Sequence, residues 1–192
     1  SGKRRERPQP VVGPYRQPDP PYSDHSGDSY THDYVEIDGA GMNIPITGCQ
    51  AAVGRVQLKK LDSMNAIRRE LAARYSNGLT QIEGVRVQPV TDDRHSVYHL
   101  YPFFINQKET GVNHDDLIRG LEARGVCINN RFFPCHLTSY MRPAGHNFAE
   151  CPVCERIWFE EQVNLPISPL HKPEQVDYAV EQVAALVKQL RR

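Results

Sequence analysis

The feature that most limits what this chain can become lies near its C-terminal end. Val176, Val180, Val183, Val187 and Leu190 recur at three- and four-residue intervals between charged and polar neighbours. That spacing predicts an amphipathic helix with one apolar stripe, and such a helix needs a layer to bury it. Upstream segments supply candidates. Thr47 is a good N-cap behind Pro45, and Leu58, Leu61, Ile67, Leu71 and Tyr75 continue a helical period to a stop at Asn77-Gly78. Val85-Arg86-Val87 alternates as a short strand, and Ser96 to Asn106 reads as a longer one whose Pro102 suggests an edge or a bulge. A helix opens at Asn113 or His114, with Asp115 and Asp116 in its first turn and Gly125 behind it. Val126-Cys127-Ile128 reads as a short strand, 131–148 as an ordered loop, and Glu150 to Gln162 as a helix ending before Val163-Asn164-Leu165-Pro166. The expected fold class is α/β: a short, mostly antiparallel sheet with helices on one face, preceded by a long helix and an extended N-terminal arm.

Residues 1–33 make that arm. Six prolines between Pro8 and Pro21 remove backbone donors and bias their neighbours away from helix, and aliphatic residues are few. Tyr15, Tyr22, Tyr30 and Tyr34 are apolar handles on this polar stretch. The start at Ser-Gly-Lys is read as processing, a tag remnant, or a piece of a longer chain. With 23 basic and 23 acidic residues, bulk charge argues for neither a nucleic-acid nor a membrane partner. No stretch has the apolar length of a membrane span and no signal h-region follows the basic start, so a cytoplasmic location is expected. The five cysteines are then expected as reduced thiols.

Cys151-Pro-Val-Cys154, with His146 and Cys135-His136 upstream, raises the question of zinc. A structural zinc site needs four converging ligands, and a single CxxC without a matched second pair does not supply that pattern, so no metal site is expected. On a helix the two cysteines share a face and pack as small hydrophobes. His99, inside the predicted strand, is expected to be packed. His136, in the aromatic loop Arg131-Phe132-Phe133-Pro134-Cys135-His136, suits either a structural role or a substrate contact. Gly-x-Ser-x-Gly, HExxH and nucleotide-binding glycine patterns are absent.

Four stretches taken together resemble one family. Gly41-Met42-Asn43-Ile44-Pro45-Ile46-Thr47-Gly48-Cys49-Gln50-Ala51-Ala52-Val53-Gly54, running into Gln57-Leu58-Lys59-Lys60-Leu61-Asp62, is similar to the segment G-x-N-x-R-M-x-x-x-Q-A-A-x-G then Q-L-x-x-L-D of the DegT/DnrJ/EryC1/StrS sugar aminotransferases. Ser96-Val97-Tyr98-His99-Leu100-Tyr101 resembles the family's H-V-Y-H-x-Y strand. Phe133-Pro134-Cys135-His136 resembles its Y-P-x-P-x-H loop, and Pro152-Val153-Cys154-Glu155 with Leu165-Pro166-Ile167 resembles P-V-A-E followed by L-P-L. Order and approximate spacing agree over residues 39–190.

The resemblance implies the C-terminal small domain of a fold type I enzyme that uses pyridoxal 5'-phosphate (PLP), usually a homodimer. Such an enzyme moves an amino group from glutamate or glutamine to a keto sugar nucleotide or a related keto sugar or cyclitol. The implied organisation is an arm or linker (1–33), a cofactor-proximal loop with a long interdomain helix (34–80), and a small α/β domain (81–192). Asn43 matches the residue that reaches the PLP phosphate of the neighbouring subunit, a task suited to an amide donor. His136 and Arg131 fall on the loop that approaches the substrate. The family's next motif position is Arg, and here it is Pro45, which cannot pair with an anion. The Schiff-base lysine lies upstream of G-x-N in the family. None of Lys3, Lys59, Lys60, Lys108, Lys172 and Lys188 matches it, so no catalytic residue is assigned within the chain. The expected partner is therefore a lysine-bearing N-terminal half or companion chain, in a homo- or hetero-oligomer. A partner-binding scaffold without catalysis, and a PLP-dependent sugar dehydratase, are the alternatives.

Overall fold

A computed structural model describes residues 45–191; the arm and Asn43 lie outside the described residues. The helix expected from Thr47 forms as α1 (Gly48–Leu58) and α2 (Leu61–Leu79). Thr47 Oγ1 accepts from the Gln50 N–H while Gln50 Oε1 accepts from the Thr47 N–H, a reciprocal cap that starts α1. The two helices are divided at Lys59-Lys60, which keep right-handed backbone angles. Asn77-Gly78 does not stop α2, which runs on to Leu79. Gly78 is instead a place where α6 (Pro173–Leu190) packs closely: a Cβ there would lie 2.6 Å from Val180 Cγ1.

Three strands form one antiparallel sheet in the order β1 (Val85–Val87), β2 (Tyr101–Ile105), β3 (Gln162–Leu165). The longer strand expected from Ser96 begins only at Tyr101. Tyr98 has φ +45, which turns the chain just before β2 and leaves His99 exposed rather than packed. Pro102 sits in the central strand, not at an edge. It is tolerated because β1 pairs only with Phe103, Phe104 and Ile105, so no ladder hydrogen bond on that side calls for a donor at Pro102. Opposite it, the Asn164 N–H points away, to Asn130 Oδ1.

The residues expected as a fourth strand, Val126-Cys127-Ile128, are not in a strand. The chain beyond them runs beside β3, and the Asn130 side chain does the pairing. Its Oδ1 accepts the Asn164 N–H (2.8 Å) and its Nδ2 donates to the Gln162 carbonyl (2.8 Å). One amide thus takes both backbone groups that a paired strand would have taken.

The core lies on the face of β2 bearing Tyr101, Phe103 and Ile105, all buried. Leu71, Tyr75 and Leu79 of α2, Leu117, Ile118 and Leu121 of α4 (His114–Ala123), and Val176, Val183, Leu186 and Val187 of α6 complete it. The apolar stripe of the last helix is buried as its spacing predicts, apart from Val180 and Leu190, which are partly buried at the rim. A short α3 (Gln107–Thr110) ends at Gly111. Asn113 caps α4 by accepting from the N–H groups of Asp115 and Asp116. At the top of the core Tyr75 stacks on Tyr101 at 4.8 Å. Burial, eased by the hydrogen bond with Ser76, pushes the Tyr101 hydroxyl up to about 12.

Candidate functional site

The sequence reading placed its substrate contacts on the loop after Ile128. That loop is held by a second, smaller apolar cluster of Phe133, Leu137 and Trp158, with Phe148 and Phe159 against it. The helix expected over 150–162 begins later, as α5 (Pro152–Arg156), and then widens into a π turn at Ile157–Glu161. This turn brings Trp158 and Phe159 inward together: their rings are edge-on to Phe133 at 5.0 and 6.1 Å. π turns of this kind are frequent at functional sites.

On this support sits His136, its side chain about nine-tenths buried. Its Nε2 lies 2.8 Å from Glu155 Oε1. The Glu155 carboxylate also accepts from the Ala149 N–H through both oxygens (3.0 and 3.1 Å) and from the Cys151 N–H (3.3 Å). Burial pushes the Glu155 carboxyl up, but the His136 hydrogen bond and the two backbone donors outweigh it and hold the group below its ordinary value. Glu155 therefore fixes the ring of His136 and the conformation of the 149–151 chain, including Ala149 at φ +73. Sequence reading did not single out Glu155. The signal was present, as the acidic residue ending Pro152-Val153-Cys154-Glu155, but its pairing with a histidine 19 residues away is a matter of tertiary packing.

Arg131 is half-buried. Its Nε donates to Asn129 Oδ1 (2.6 Å), its guanidinium lies 5.8 Å from the Phe132 ring centre, and its carbonyl accepts from Gln162 Nε2. Arg131 and His136 thus sit at the two ends of one loop segment, each with its own anchor. Asn43, the third residue singled out, is outside the described residues. Cys151 and Cys154 are exposed rather than packed into the core, because α5 lies on the surface with its Cys151 end outward. His146 bonds Glu150 at 2.9 Å, and among the described residues no group of three or more histidine, cysteine or acidic side chains is arranged to hold a metal ion.

Next to the His136–Glu155 pair, a mainly apolar cleft of about 600 Å³ opens between Phe132, the first turn of α5, Trp158 and Gln162. The Trp158 Nε1 is buried and has no hydrogen-bond partner. Lys59, Lys60, Lys108, Lys172 and Lys188 are all exposed and none lines the cleft. Among the described residues no helix is long and apolar enough to cross a membrane.

Comparison with known proteins gives this geometry a setting. The spore coat polysaccharide biosynthesis protein SpsC of Bacillus subtilis (strain 168) is 31% identical over 157 residues, which are 81% of this chain and 40% of that protein. The aminotransferase TlmJ of Streptoalloteichus hindustanus superposes with a TM-score of 0.65 at 31% identity, covering 74% of this chain and 37% of TlmJ. The putative sugar aminotransferase Spr1654 of Streptococcus pneumoniae, in its PLP form, has the same fold (TM-score 0.67, 22% identity, 76% of this chain and 36% of that one). The chain spans about two fifths of the length of these relatives. With a sequence profile matching residues 22–184, the chain belongs to the DegT/DnrJ/EryC1/StrS aminotransferase family.

Proposed function

We propose that this chain is the C-terminal part of a PLP-dependent sugar aminotransferase and works with a lysine-bearing N-terminal half or companion chain. The observation that carries the reading is the family match over residues 22–184, on a chain spanning two fifths of its relatives. The residues described here would form the small domain of a fold type I enzyme. PLP, when bound, supplies an electron sink for the reacting carbon, and the lysine that holds it lies outside this chain. On this reading the substrate is a keto sugar nucleotide or a related keto sugar or cyclitol, and the amino donor is glutamate or glutamine. Asn43 donates its amide to the PLP phosphate of the neighbouring subunit. His136 and Arg131 contact substrate from one side, and Glu155 keeps the His136 ring in place for that contact.

A completing partner is supported by α1. It has no buried residue, and Val53 and Leu58 along it, with Ile46 just before it, are each more than 60% exposed. Exposed apolar side chains on a helix support reading this face as one that is covered in the working assembly. Pro45, at the family's arginine position, favours one second reading: a family member that keeps the scaffold and binds partners without catalysis.

The test is the visible absorption of the native assembly, purified through this chain and supplied with PLP, before and after borohydride. A yellow cofactor band that borohydride removes is the expected result. Assembly with partners but without any such band overturns the enzymatic reading in favour of the scaffold.

A further inference from the structure

Three of the five cysteines gather at one place on the surface. Cys151 is the N-cap of α5, Pro152 follows as its first residue, and Cys154 stands in the same first turn. Both line the apolar cleft beside Trp158, and Cys135 precedes His136, whose bond to Glu155 brings that loop against α5. All three are exposed. The cluster does not have the makings of a metal centre among the described residues. What remains is thiol chemistry.

Helical geometry sets Cα atoms three residues apart at about 5 Å. That lies inside the range of about 4.4–6.8 Å that a disulfide spans. The N-cap position helps, because Cys151 has the non-helical angles φ −129 and ψ 65, so its side chain is not committed to a helical rotamer. Burial first, and then Cys151, Cys135 and Glu155, push the Cys154 thiol above its ordinary value.

We propose that Cys151 and Cys154 are a reversible disulfide-forming site at the mouth of the cleft, closed by exchange with a small-molecule disulfide. The Cys151 thiolate attacks one sulfur of the reagent, forming a mixed disulfide and releasing the first small thiol. The Cys154 thiolate then attacks Cys151 Sγ and releases the second. The protein loses two hydrogens and two electrons, and the reagent disulfide gains them as two thiols. The second step is favoured because Cys154 is one turn away on the same chain, which makes the attack intramolecular. The bond also bears on the pair described above. The Cys151 N–H donates to Glu155, and the Cys151 carbonyl accepts from the Glu155 N–H at 3.0 Å, so the disulfide would tie down the chain that holds His136 in place.

The sole tryptophan, Trp158, lines the same cleft and reports on it. The experiment treats the full chain with oxidised glutathione, then follows peptide masses and tryptophan emission. The expected result is loss of two hydrogens from the peptide holding Cys151 and Cys154, with a fall in emission that dithiothreitol reverses. C135S should keep both signals, and C151S and C154S should lose them. A lasting glutathione adduct on Cys151, a bond from Cys135 to either cysteine, or a C154S protein that still loses two hydrogens would each overturn the assignment. Because neither readout involves PLP, a failure here is separable from a failure of the functional reading.

Discussion

Glu155→Ala is the sharpest probe of the candidate site. The carboxylate accepts from the Ala149 N–H with two oxygens, from the Cys151 N–H, and bonds His136 Nε2. Removing one partner of a buried, charged network typically costs about 3–5 kcal/mol, because the donors left behind have lost water as well. One term runs the other way. Ala149 is held at φ +73, and freeing it from the left-handed region returns about 1–2 kcal/mol. The net loss should be about 1–4 kcal/mol. With a urea slope of about 2 kcal/mol per M, the unfolding midpoint falls by about 0.5–2 M. Glu155→Gln keeps one acceptor and the volume, and should lie between the two. Hydrogen exchange localises the effect: the Ala149 and Cys151 amides should lose protection in Glu155→Ala while amides of α2 and α6 keep their order. A Glu155→Ala midpoint within about 0.3 M of the parent, with those two amides unchanged, would show that the carboxylate does not hold this loop.

Acid should act through the same group. A carboxyl held below its ordinary value stabilises the fold above its unfolded pKa, about 4.3 for glutamate, and that contribution is lost as pH falls through the lower folded value. The parent should therefore lose more urea resistance than Glu155→Gln as pH is lowered from about 6 to 3, and parallel pH profiles would contradict the assignment. Gly78→Ala sets two effects against each other. Alanine gains about 1 kcal/mol of helix propensity, but its Cβ would lie 2.6 Å from Val180 Cγ1, and overpacking costs about 1–3 kcal/mol against a stiff β-branched side chain. A net loss of stability, relieved when Val180→Ala is added, is the expected outcome of a double-mutant cycle read by urea unfolding.

The parts of the fold that could be read from sequence are those whose information is local. The stripe on α6, the Thr47 cap and the Asn113 cap each depend on residues within a turn or two, and each formed where its pattern predicts. The misreadings share a different origin. Gly78 reads as a helix stop unless the approach of α6 is known, and Pro102 reads as an edge residue unless the length of β1 is known. His99 reads as packed if the strand starts at Ser96, and the turn at Tyr98 that delays the strand has no sequence signature. At the candidate site the same division holds. His136 and Arg131 could be picked out by motif. Glu155 became visible only when folding brought the P-V-x-E turn against the loop 19 residues before it.

Asn130 has a consequence beyond the fold. A sheet with an open edge offers unpaired N–H and carbonyl groups to any extended chain that drifts past, which is how strands recruit copies of themselves into aggregates. Around Asn164 the outer edge of β3 makes no such offer, because a single side-chain amide already holds the Asn164 N–H and the Gln162 carbonyl. The opposite edge is short, with three residues in β1 and the charged Arg86 at its middle, tied to Glu161 at 2.8 Å. Among the described residues the sheet is thus closed to growth on one side by a side chain acting as a strand, and guarded on the other by brevity and charge.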